Sequence, residues 1–340
     1  SNKGKLYKLR GYEIPEAGRT AKGTAIVNLL QLDNGEKISA VIPIQNFAEG
    51  KYLLMGTKNG LIKKTPLMEY DSSRKTGLLG ITLKDEDELI DVRLTDGEDN
   101  VVLVTKKGMS ITFEEKDVRP VGRTAQGVIG IRLDDDDEVI GMESIIGKTN
   151  ATLLAITENG FGKRTELDEY RVQNRGGRGV ITYKVTPKTG NIVGIRIATG
   201  VEDVMLITDK GTIIRLKVDE ISVLGRSTQG VTLMRTNDGG KVVSIEIINP
   251  EDEEGASEAS GENKEIQRLN ILIESELYRL VLSNSQDEIS KITLNSVSQS
   301  VVQFVEKYGE ELTPENIDYL TQRIWEYINS KIKRNKKMLE

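Results

Sequence analysis

Short apolar runs alternate with polar turns along the first 249 residues, and one turn recurs at long, even intervals. The runs YLLM, VVLV, LLAI and VMLI each lead into a T-x-x-G turn, which ends at Gly60, Gly108, Gly160 and Gly211. These glycines lie 48, 52 and 51 residues apart, and Gly4 ends a remnant of the turn without an apolar run before it. The alternation predicts β-strands, and the even period predicts five repeated structural units.

Two further positions after the turn hold the same type of residue, basic or apolar, in nearly every unit. The fourth residue after the glycine is basic in four units, as Lys8, Lys64, Arg164 and Arg215, and Thr112 departs from this rule. The tenth residue is apolar in every unit: Ile14, Tyr70, Val118, Tyr170 and Ile221. Because an apolar position repeated in every unit indicates a core position, we expect Tyr70 and Tyr170 to be buried rather than to act as nucleophiles.

An arginine–glycine loop follows in each unit and reads GRTAKG, SRKTG, GRTAQG, NRGGRG or GRSTQG. Its arginines are Arg19, Arg74, Arg123, Arg175 and Arg226. A loop held at the same place in five strand-rich units is not a disordered linker. Two interpretations remain: the loop binds phosphate, or it is a tight turn whose arginine forms a salt bridge with a neighbouring unit.

A strand, a polar turn and a β-branched last strand complete each unit. Short strands at even spacing, with about four strands in each unit, are typical of radially arranged blades. We therefore predict that residues 1–249 form an all-β, propeller-like array of about five blades of roughly fifty residues, with the N-terminal blade truncated.

The composition changes after residue 249. Residues 250–263, PEDEEGASEASGEN, are acidic and rich in Gly, Ser and Ala, so we predict a flexible linker. Residues 264–340 show helical apolar spacing in three stretches, which predicts a small all-α appendage of unknown role, either a bundle or a partner-docking hairpin. The appendage ends in the basic run KIKRNKK. Lysines near a helix C-terminus more often serve solubility and the helix dipole than DNA binding, so DNA binding is the weaker interpretation.

Cysteine and histidine are both absent from the 340 residues. Their absence excludes disulfides, thiolate nucleophiles, cysteine-ligated zinc and histidine general bases. No run of about 18 apolar residues occurs, which excludes a membrane-spanning helix. These observations predict a cytoplasmic protein that performs no chemistry of its own.

The net charge of −6 is unevenly distributed. Residues 1–249 hold 36 of the 47 basic and 35 of the 53 acidic side chains, a net charge of +1, whereas residues 250–340 hold 11 and 18, a net charge of −7. Within the units, acidic residues gather in turns such as 85–88 and 134–138. We therefore expect a basic rim formed by the arginine loops, with acidic patches elsewhere.

Five segments of the repeats carry a family resemblance: KLYKLRGYEIPE, LIKKTPLMEY, RLTDGEDNVVLVTKKG, DVRPVGRTAQGV and ENGFGKRTELDEYRVQNRGGRG. They resemble the C-terminal domain of the A subunit of bacterial DNA gyrase and, more distantly, that of topoisomerase IV. The resemblance extends over residues 1–249. It implies a six-bladed β-pinwheel that wraps duplex DNA around its rim, within an ATP-dependent enzyme that introduces negative supercoils.

The resemblance also has consequences for what surrounds this chain. The family's box, Q-R-R-G-G-R-G, is matched by residues 173–179, QNRGGRG, in a later unit than the family's first blade and with Asn174 in place of an arginine. It implies that the first blade and the DNA-cleaving tyrosine domain lie outside this chain. We therefore expect this chain to bind DNA without cutting it and without a cofactor or metal. The implied partners are the B subunit of gyrase and the breakage-reunion domain of its A subunit, at the nucleoid and away from membranes.

Phosphate binding is the chemistry that we expect of the loops. Evenly spaced arginines suit the phosphates of bent duplex DNA, glycines let backbone N–H groups converge on an anion, and such contacts read no sequence. The predicted loop contacts are Arg19, Lys22, Arg74, Lys75, Arg123, Gln173, Asn174, Arg175, Gly176, Gly177, Arg178, Gly179 and Arg226. The residues after the turns, Lys8, Lys64, Arg164 and Arg215, are either further contacts or a solvated face of an outer strand.

Two other functions fit the same residues. A topoisomerase IV-type domain would wrap DNA weakly. A propeller-like scaffold would use its rim arginines to dock acidic proteins. Salt-dependent binding to DNA separates the scaffold from the other two.

Overall fold

The structure is a computed structural model that describes residues 1–17, 21–72, 77–145, 151–236 and 239–248. The strands in these ranges are β1 (Lys5–Leu6), β2 (Tyr52–Thr57), β3 (Leu61–Pro66), β4 (Leu78–Leu79), β5 (Leu89–Thr95), β6 (Asn100–Thr105), β7 (Met109–Glu114), β8 (Val128–Ile129), β9 (Val139–Ile145), β10 (Thr152–Thr157), β11 (Phe161–Glu166), β12 (Val180–Ile181), β13 (Ile192–Ala198), β14 (Asp203–Thr208), β15 (Ile213–Lys217), β16 (Val231–Thr232) and β17 (Val242–Ile248). The predicted linker, 250–263, and the predicted helical appendage, 264–340, lie outside the described residues.

Helical structure within these ranges is limited to short 3₁₀ turns, and no α-helix forms there. The 3₁₀ turns are Gly11–Glu13, Ile26–Asn28, Leu67–Tyr70, Glu115–Asp117, Leu167–Glu169 and Val218–Glu220. Four of the six follow the second strand of a unit, where the chain leaves the sheet and enters the arginine loop. The described part of the chain is therefore all-β, as predicted.

Three four-stranded sheets share one plan, with strand orders β8-β3-β2-β5, β12-β7-β6-β9 and β16-β11-β10-β13. In each, the T-x-x-G turn joins the two central strands as an antiparallel hairpin. The unit's own last strand forms one edge, which we call the inner edge. A two-residue strand from the following unit forms the opposite edge, which we call the exchange edge. Each unit thus supplies three strands to its own sheet and one to its neighbour's.

The fifth unit departs from this plan, because its sheet has only the three strands β15-β14-β17 among the described residues. The first unit departs further. Only β1 is formed there, and it pairs with β4 of the second unit. The described residues therefore form four blades rather than the predicted five. In the other units the strand before the T-x-x-G turn bonds to strands on both sides, whereas among the described residues of the first unit no strand other than β1 forms and residues 36–44 form none.

The core lies between successive sheets rather than within one sheet. One cluster joins Leu54 and Ile62 of the second unit to Val101, Phe113 and Met142 of the third. Equivalent clusters connect the third unit to the fourth and the fourth to the fifth. Because both faces of a sheet are covered, the first central strand of each hairpin, as in YLLM, VVLV and LLAI, is a nearly continuous apolar run without polar alternation. This packing is the propeller-like arrangement that the repeats predicted.

The apolar position ten residues after each turn glycine is buried in the four blades. Tyr70 and Tyr170 are 1% and 5% exposed, which confirms the prediction that both belong to the core. The Tyr70 hydroxyl donates a hydrogen bond to the carbonyl of Gly80 at 3.0 Å, and burial raises the pKa of Tyr70 to about 12. In the first unit, which lacks a blade, Ile14 is 54% exposed instead.

Alternating charges connect the inner edges of the blades. Arg93, Glu143, Arg196 and Glu246 occupy the same place on β5, β9, β13 and β17, each paired to the third residue of its blade's first central strand. Arg93 Nη2 lies 2.8 Å from Glu143 Oε1, Arg196 Nη1 lies 3.8 Å from the same oxygen, and Arg196 Nη2 lies 3.2 Å from Glu246 Oε2. Burial raises the pKa of Glu143 to about 7 against the opposing effect of the two arginines. Each blade is thereby ion-paired to the next.

Candidate nucleic-acid interface

The arginine–glycine loops of the third, fourth and fifth units lie in the same way against the sheet of the preceding unit. Pro120, Val172 and Val223 each form a parallel bridge with the preceding unit's second strand, at Lys64, Thr112 and Arg164. The chain then turns through the loop and returns antiparallel to the first two residues of that strand, as β8, β12 and β16. All three loops therefore sit at the exchange edge of a sheet.

The loop arginines reach across to the carbonyl groups of the unit before. Arg175 Nη1 and Arg226 Nη1 each lie 3.0 Å from a carbonyl oxygen, that of Ile129 in β8 and that of Ile181 in β12. Arg123 Nη1 makes the equivalent contact to Leu79 in β4 at 3.5 Å. Arg175 Nε also donates to the carbonyl of Asp117 at 3.0 Å. Each guanidinium therefore braces two neighbouring sheets.

The glycine that ends each loop allows close approach between backbones. At Gly179 the backbone has a φ of 78°, and a Cβ atom would overlap the carbonyl oxygen of Ser110. At Gly127 and Gly230 an added Cβ would lie 2.6 Å from the carbonyl oxygens of Ile62 and Gly162. Strand exchange therefore requires these glycines. The sequence alone had suggested that they serve anion binding instead.

Two N–H groups of the QNRGGRG loop, those of Gln173 and Gly176, are directed at protein rather than at an anion. Gly176 N–H donates to the carbonyl of Gly130 at 2.6 Å, and the carbonyl of Gly177 accepts from Arg132 N–H at 2.8 Å. Gln173 N–H donates to the carbonyl of Thr112 at 2.7 Å, and its side-chain amide nitrogen is enclosed without a hydrogen-bond partner among the described residues. The expected convergence of loop N–H groups on an anion is not present at these positions.

Three of the predicted loop contacts that the structure describes face solvent. The side chain of Arg178 is 78% exposed, and its Nη1 lies 3.0 Å from Asp134 Oδ1. Asn174 and Lys22 are exposed as well. The contact with Asp134 corrects the expectation that acidic turns lie away from the arginine loops, because the turn 134–138 of the third unit meets the loop of the fourth. The predicted contacts Arg19, Arg74 and Lys75 lie outside the described residues.

The basic residues after the turns differ from one another in exposure and in partners. Lys64 is 4% exposed, and its ammonium group donates to the carbonyl of Glu115 at 3.0 Å. Arg164 similarly reaches the 3₁₀ turn of the following unit, with Nε 2.8 Å from the carbonyl of Ile221. These two side chains clamp successive units, and Lys64 is closed off from a surface-bound ligand.

The other two members of this series form ion pairs within reach of solvent. Lys8 Nζ lies 3.2 Å from Asp71 Oδ1 and 4.4 Å from the centre of the Phe47 ring. Arg215 Nε lies 2.6 Å from Asp203 Oδ2 on the neighbouring strand β14. The four residues share a position in the repeat, but they do not form one exposed row.

Two buried lysines beside this series escaped the sequence argument. Lys63 donates to the carbonyls of Gly80 and Arg123, at 2.5 and 2.6 Å, and Lys163 donates to those of Gly225 and Arg226, both at 2.6 Å. Burial lowers the pKa of each lysine to about 8. They hold the backbone of the next unit's loop. The sequence feature that could have revealed these lysines is the pair of adjacent basic residues after the turn, Lys63-Lys64 or Lys163-Arg164.

Two further structural observations bear on the site. Within the described ranges, no helix is long and apolar enough to cross a membrane. In the same part of the chain, no three acidic side chains come together in a group that could hold a metal ion.

A family model described as the DNA gyrase C-terminal domain, β-propeller, matches residues 1–45, 51–96, 99–146, 151–199 and 202–249. The A subunit of DNA gyrase from Clostridium acetobutylicum is 54% identical over 254 residues, which are 75% of this chain and 30% of that protein. The chain therefore spans less than a third of the length of this relative. The five segments matched by the family model coincide with the five repeats.

Two solved structures resemble the fold. The C-terminal domain of DNA topoisomerase IV aligns with a TM-score of 0.69 at 31% identity, over 74% of this chain and 78% of that one. The DNA gyrase A C-terminal domain aligns with a TM-score of 0.64 at 27% identity, over 73% and 80%. Both likenesses support the propeller-like arrangement of the blades.

Proposed function

Because this chain belongs to the family of DNA gyrase C-terminal domains, we propose that it binds duplex DNA along the exchange edges of its blades and bends the DNA around them. The DNA-binding surface comprises the arginine–glycine loops and the short strands that follow them. The bending is the wrapping by which a gyrase changes DNA topology. This chain supplies the wrapping surface, and the cutting of DNA belongs to another part of the parent enzyme.

One observation carries the proposal: the same loop occupies the same place at three successive blade junctions. Its arginines Arg123, Arg175 and Arg226 make equivalent contacts to the preceding unit. A surface that repeats from blade to blade offers cations at regular intervals, and the phosphates of a bent duplex are also regularly spaced. A single basic loop would bind DNA at one point, whereas a repeated one favours a curved path.

The contacts that we propose are to the DNA backbone. Arg178, Asn174 and Lys22 are exposed members of the predicted loop contacts. Arg123, Arg175 and Arg226 are partly exposed and retain N–H groups beyond those given to carbonyl oxygens. Phosphate contacts position a protein on DNA without reading its sequence. Since no α-helix is present among the described residues to enter a major groove, we propose binding that is independent of sequence.

The holoenzyme is the setting for this activity. The relative from Clostridium acetobutylicum is a gyrase A subunit that is about three times longer than the matched region. We propose that this chain acts beside a breakage-reunion domain and the B subunit of gyrase, at the bacterial nucleoid, and that it contributes DNA wrapping to ATP-driven negative supercoiling.

Binding of the full 340-residue chain to two labelled duplexes of unrelated sequence tests the proposal. We expect the logarithm of the binding constant to fall linearly with the logarithm of the salt concentration, with the same slope for both duplexes. Four to six phosphate contacts correspond to a slope of roughly −4 to −5. A chain that does not bind either duplex at low salt would instead fit a scaffold for acidic proteins. Binding that differs strongly between the duplexes would contradict backbone recognition.

A further inference from the structure

A second row of cations follows the exchanged strands. Arg132, Lys184 and Arg235 each lie five residues after the glycine that ends a loop, and three residues after β8, β12 and β16. All three are exposed. We call these three residues the strand row. In the second unit Thr82 takes the place, and its hydroxyl donates to the carbonyl of Thr124 at 2.7 Å.

Backbone hydrogen bonds place the strand row beside the loops. Arg132 N–H donates to the carbonyl of Gly177 at 2.8 Å, and Lys184 N–H donates to that of Thr228 at 3.0 Å. Gly177 and Thr228 each lie two residues after a loop arginine, Arg175 or Arg226. The strand row therefore runs along the same edge as the loops, one cation for each of the third, fourth and fifth units.

The two rows differ in what their charged groups already contact. Arg175 and Arg226 give N–H groups to carbonyl oxygens of the preceding unit, and Arg178 pairs with Asp134. Among the described residues, the side chains of the strand row make no hydrogen bond and no ion pair. A phosphate group that approaches the loop arginines competes with protein acceptors, whereas at the strand row it displaces only water.

We propose that Arg132, Lys184 and Arg235 are principal phosphate-binding residues of this edge, and that the loop arginines chiefly hold neighbouring blades together. This inference rests on the proposed function, since it concerns which cations bind DNA. It assigns the strongest DNA contact to the third, fourth and fifth units, because the second unit has Thr82 at this place. The inference also explains why every loop has an arginine, whereas the strand row has either arginine or lysine. Hydrogen bonds to carbonyl oxygens of a neighbouring sheet need the fixed guanidinium fork, and a single phosphate accepts either cation.

Three variants of the full chain test the inference against equal losses of charge. The first replaces the strand row by alanine (R132A/K184A/R235A). The second removes three exposed lysines near the far ends of the hairpins (K51A/K116A/K217A). The third, the brace variant, removes the three loop arginines that contact the preceding unit (R123A/R175A/R226A). Binding of one labelled duplex is measured by fluorescence anisotropy from about 50 to 300 mM salt, and thermal unfolding of each variant is recorded alongside.

The strand-row variant should keep the thermal midpoint of the wild type. The slope of the logarithm of its binding constant against the logarithm of the salt concentration should be smaller in magnitude by about 2.7, or about 0.9 for each cation. At 0.1 M salt this corresponds to binding weaker by two to three orders of magnitude. The lysine control should keep a slope close to the wild type. The brace variant should lower the thermal midpoint and change the slope less than the strand-row variant does.

A wild-type slope in the strand-row variant, or equal losses in the strand-row and control variants, would overturn the inference while DNA binding itself stands. A larger loss of slope in the brace variant, with its thermal midpoint unchanged, would overturn it as well. If the wild-type chain does not bind DNA at low salt, the proposed function fails, and that result is distinct from either of the others.

Discussion

Replacing Gly179 by alanine is expected to destabilise the protein severely, by about 3 kcal/mol or more. The new Cβ would overlap the carbonyl oxygen of Ser110 on the preceding unit's second strand, and alanine is strained at a φ of 78°. The overlap involves two backbones, so a change of side-chain rotamer cannot relieve it. The expected consequence is loss of the β7–β12 pairing and of the contact between the third and fourth units. Denaturant unfolding followed by circular dichroism measures the effect.

Gly177 provides the matched control within the same heptapeptide. It does not have a positive φ, and an added Cβ would meet the Ile111 side chain at 3.5 Å, an ordinary van der Waals distance. Gly177→Ala should therefore change the free energy of unfolding by less than about 1 kcal/mol. If both variants retain wild-type stability and both weaken DNA binding, the glycines serve an anion rather than strand exchange, and our assignment of Gly179 is wrong.

Reversing the charge of Glu143 is expected to have an effect of comparable size. Its side chain is 8% exposed and lies between Arg93 and Arg196, the cations of the two adjacent blades. Glu143→Lys would bury a third cation between them in place of the carboxylate that they share. Breaking a buried ion pair and leaving like charges together costs about 4 kcal/mol or more. We expect the thermal midpoint to fall steeply and the blades to separate before the hairpins unfold, which hydrogen exchange at the inner strands would detect.

Glu246 is the matched control for this charge reversal, because it holds the equivalent place on the inner strand of the fifth unit. Its side chain is 56% exposed, and its ion pair with Arg196 is 3.2 Å long. Glu246→Lys should cost no more than about 1 kcal/mol, since water screens an exposed pair. Equal effects of the two substitutions would mean that burial between blades does not determine the strength of the ion pairs along the inner edges.

The repeat itself could be predicted from the sequence because each unit is built from local signals. The T-x-x-G turn, the apolar run before it and the buried tenth residue act within one hairpin, and the structure places them as the period indicates. Tyr70 and Tyr170 illustrate this, since one apolar position in a period was enough to assign both to the core.

Strand exchange could not be predicted in the same way. The sequence shows that a short strand follows Gly127 or Gly179, but it does not show which sheet receives that strand. The predicted count of about four strands in each unit is the number that the second to fifth units supply, although one of the four joins a neighbour's sheet. The first unit shows a further limit, because its residues 36–44 resemble the β-branched last strands of the other units but form no strand in the structure.

Arginine in the loops was ambiguous for a physical reason. A guanidinium group serves equally well as a donor to phosphate and as a donor to carbonyl oxygens, and the choice depends on what lies opposite it in three dimensions. At Arg175 a carbonyl oxygen of β8 lies opposite. The cations of the strand row escaped notice because they stand just beyond the loop motif, where the residue type changes between arginine, lysine and threonine.

Sealing nicked circular DNA in the presence of the full 340-residue chain tests most directly whether DNA wraps around the exchange edges. A wrap that is present when the nick is sealed remains as a change in linking number after the protein is removed. We predict a topoisomer distribution that shifts in proportion to the amount of bound protein, equally for two circles of unrelated sequence, and that returns to the protein-free distribution as salt is raised. An unshifted distribution at saturating binding would show that the chain holds DNA without bending it, and would contradict wrapping around the blades.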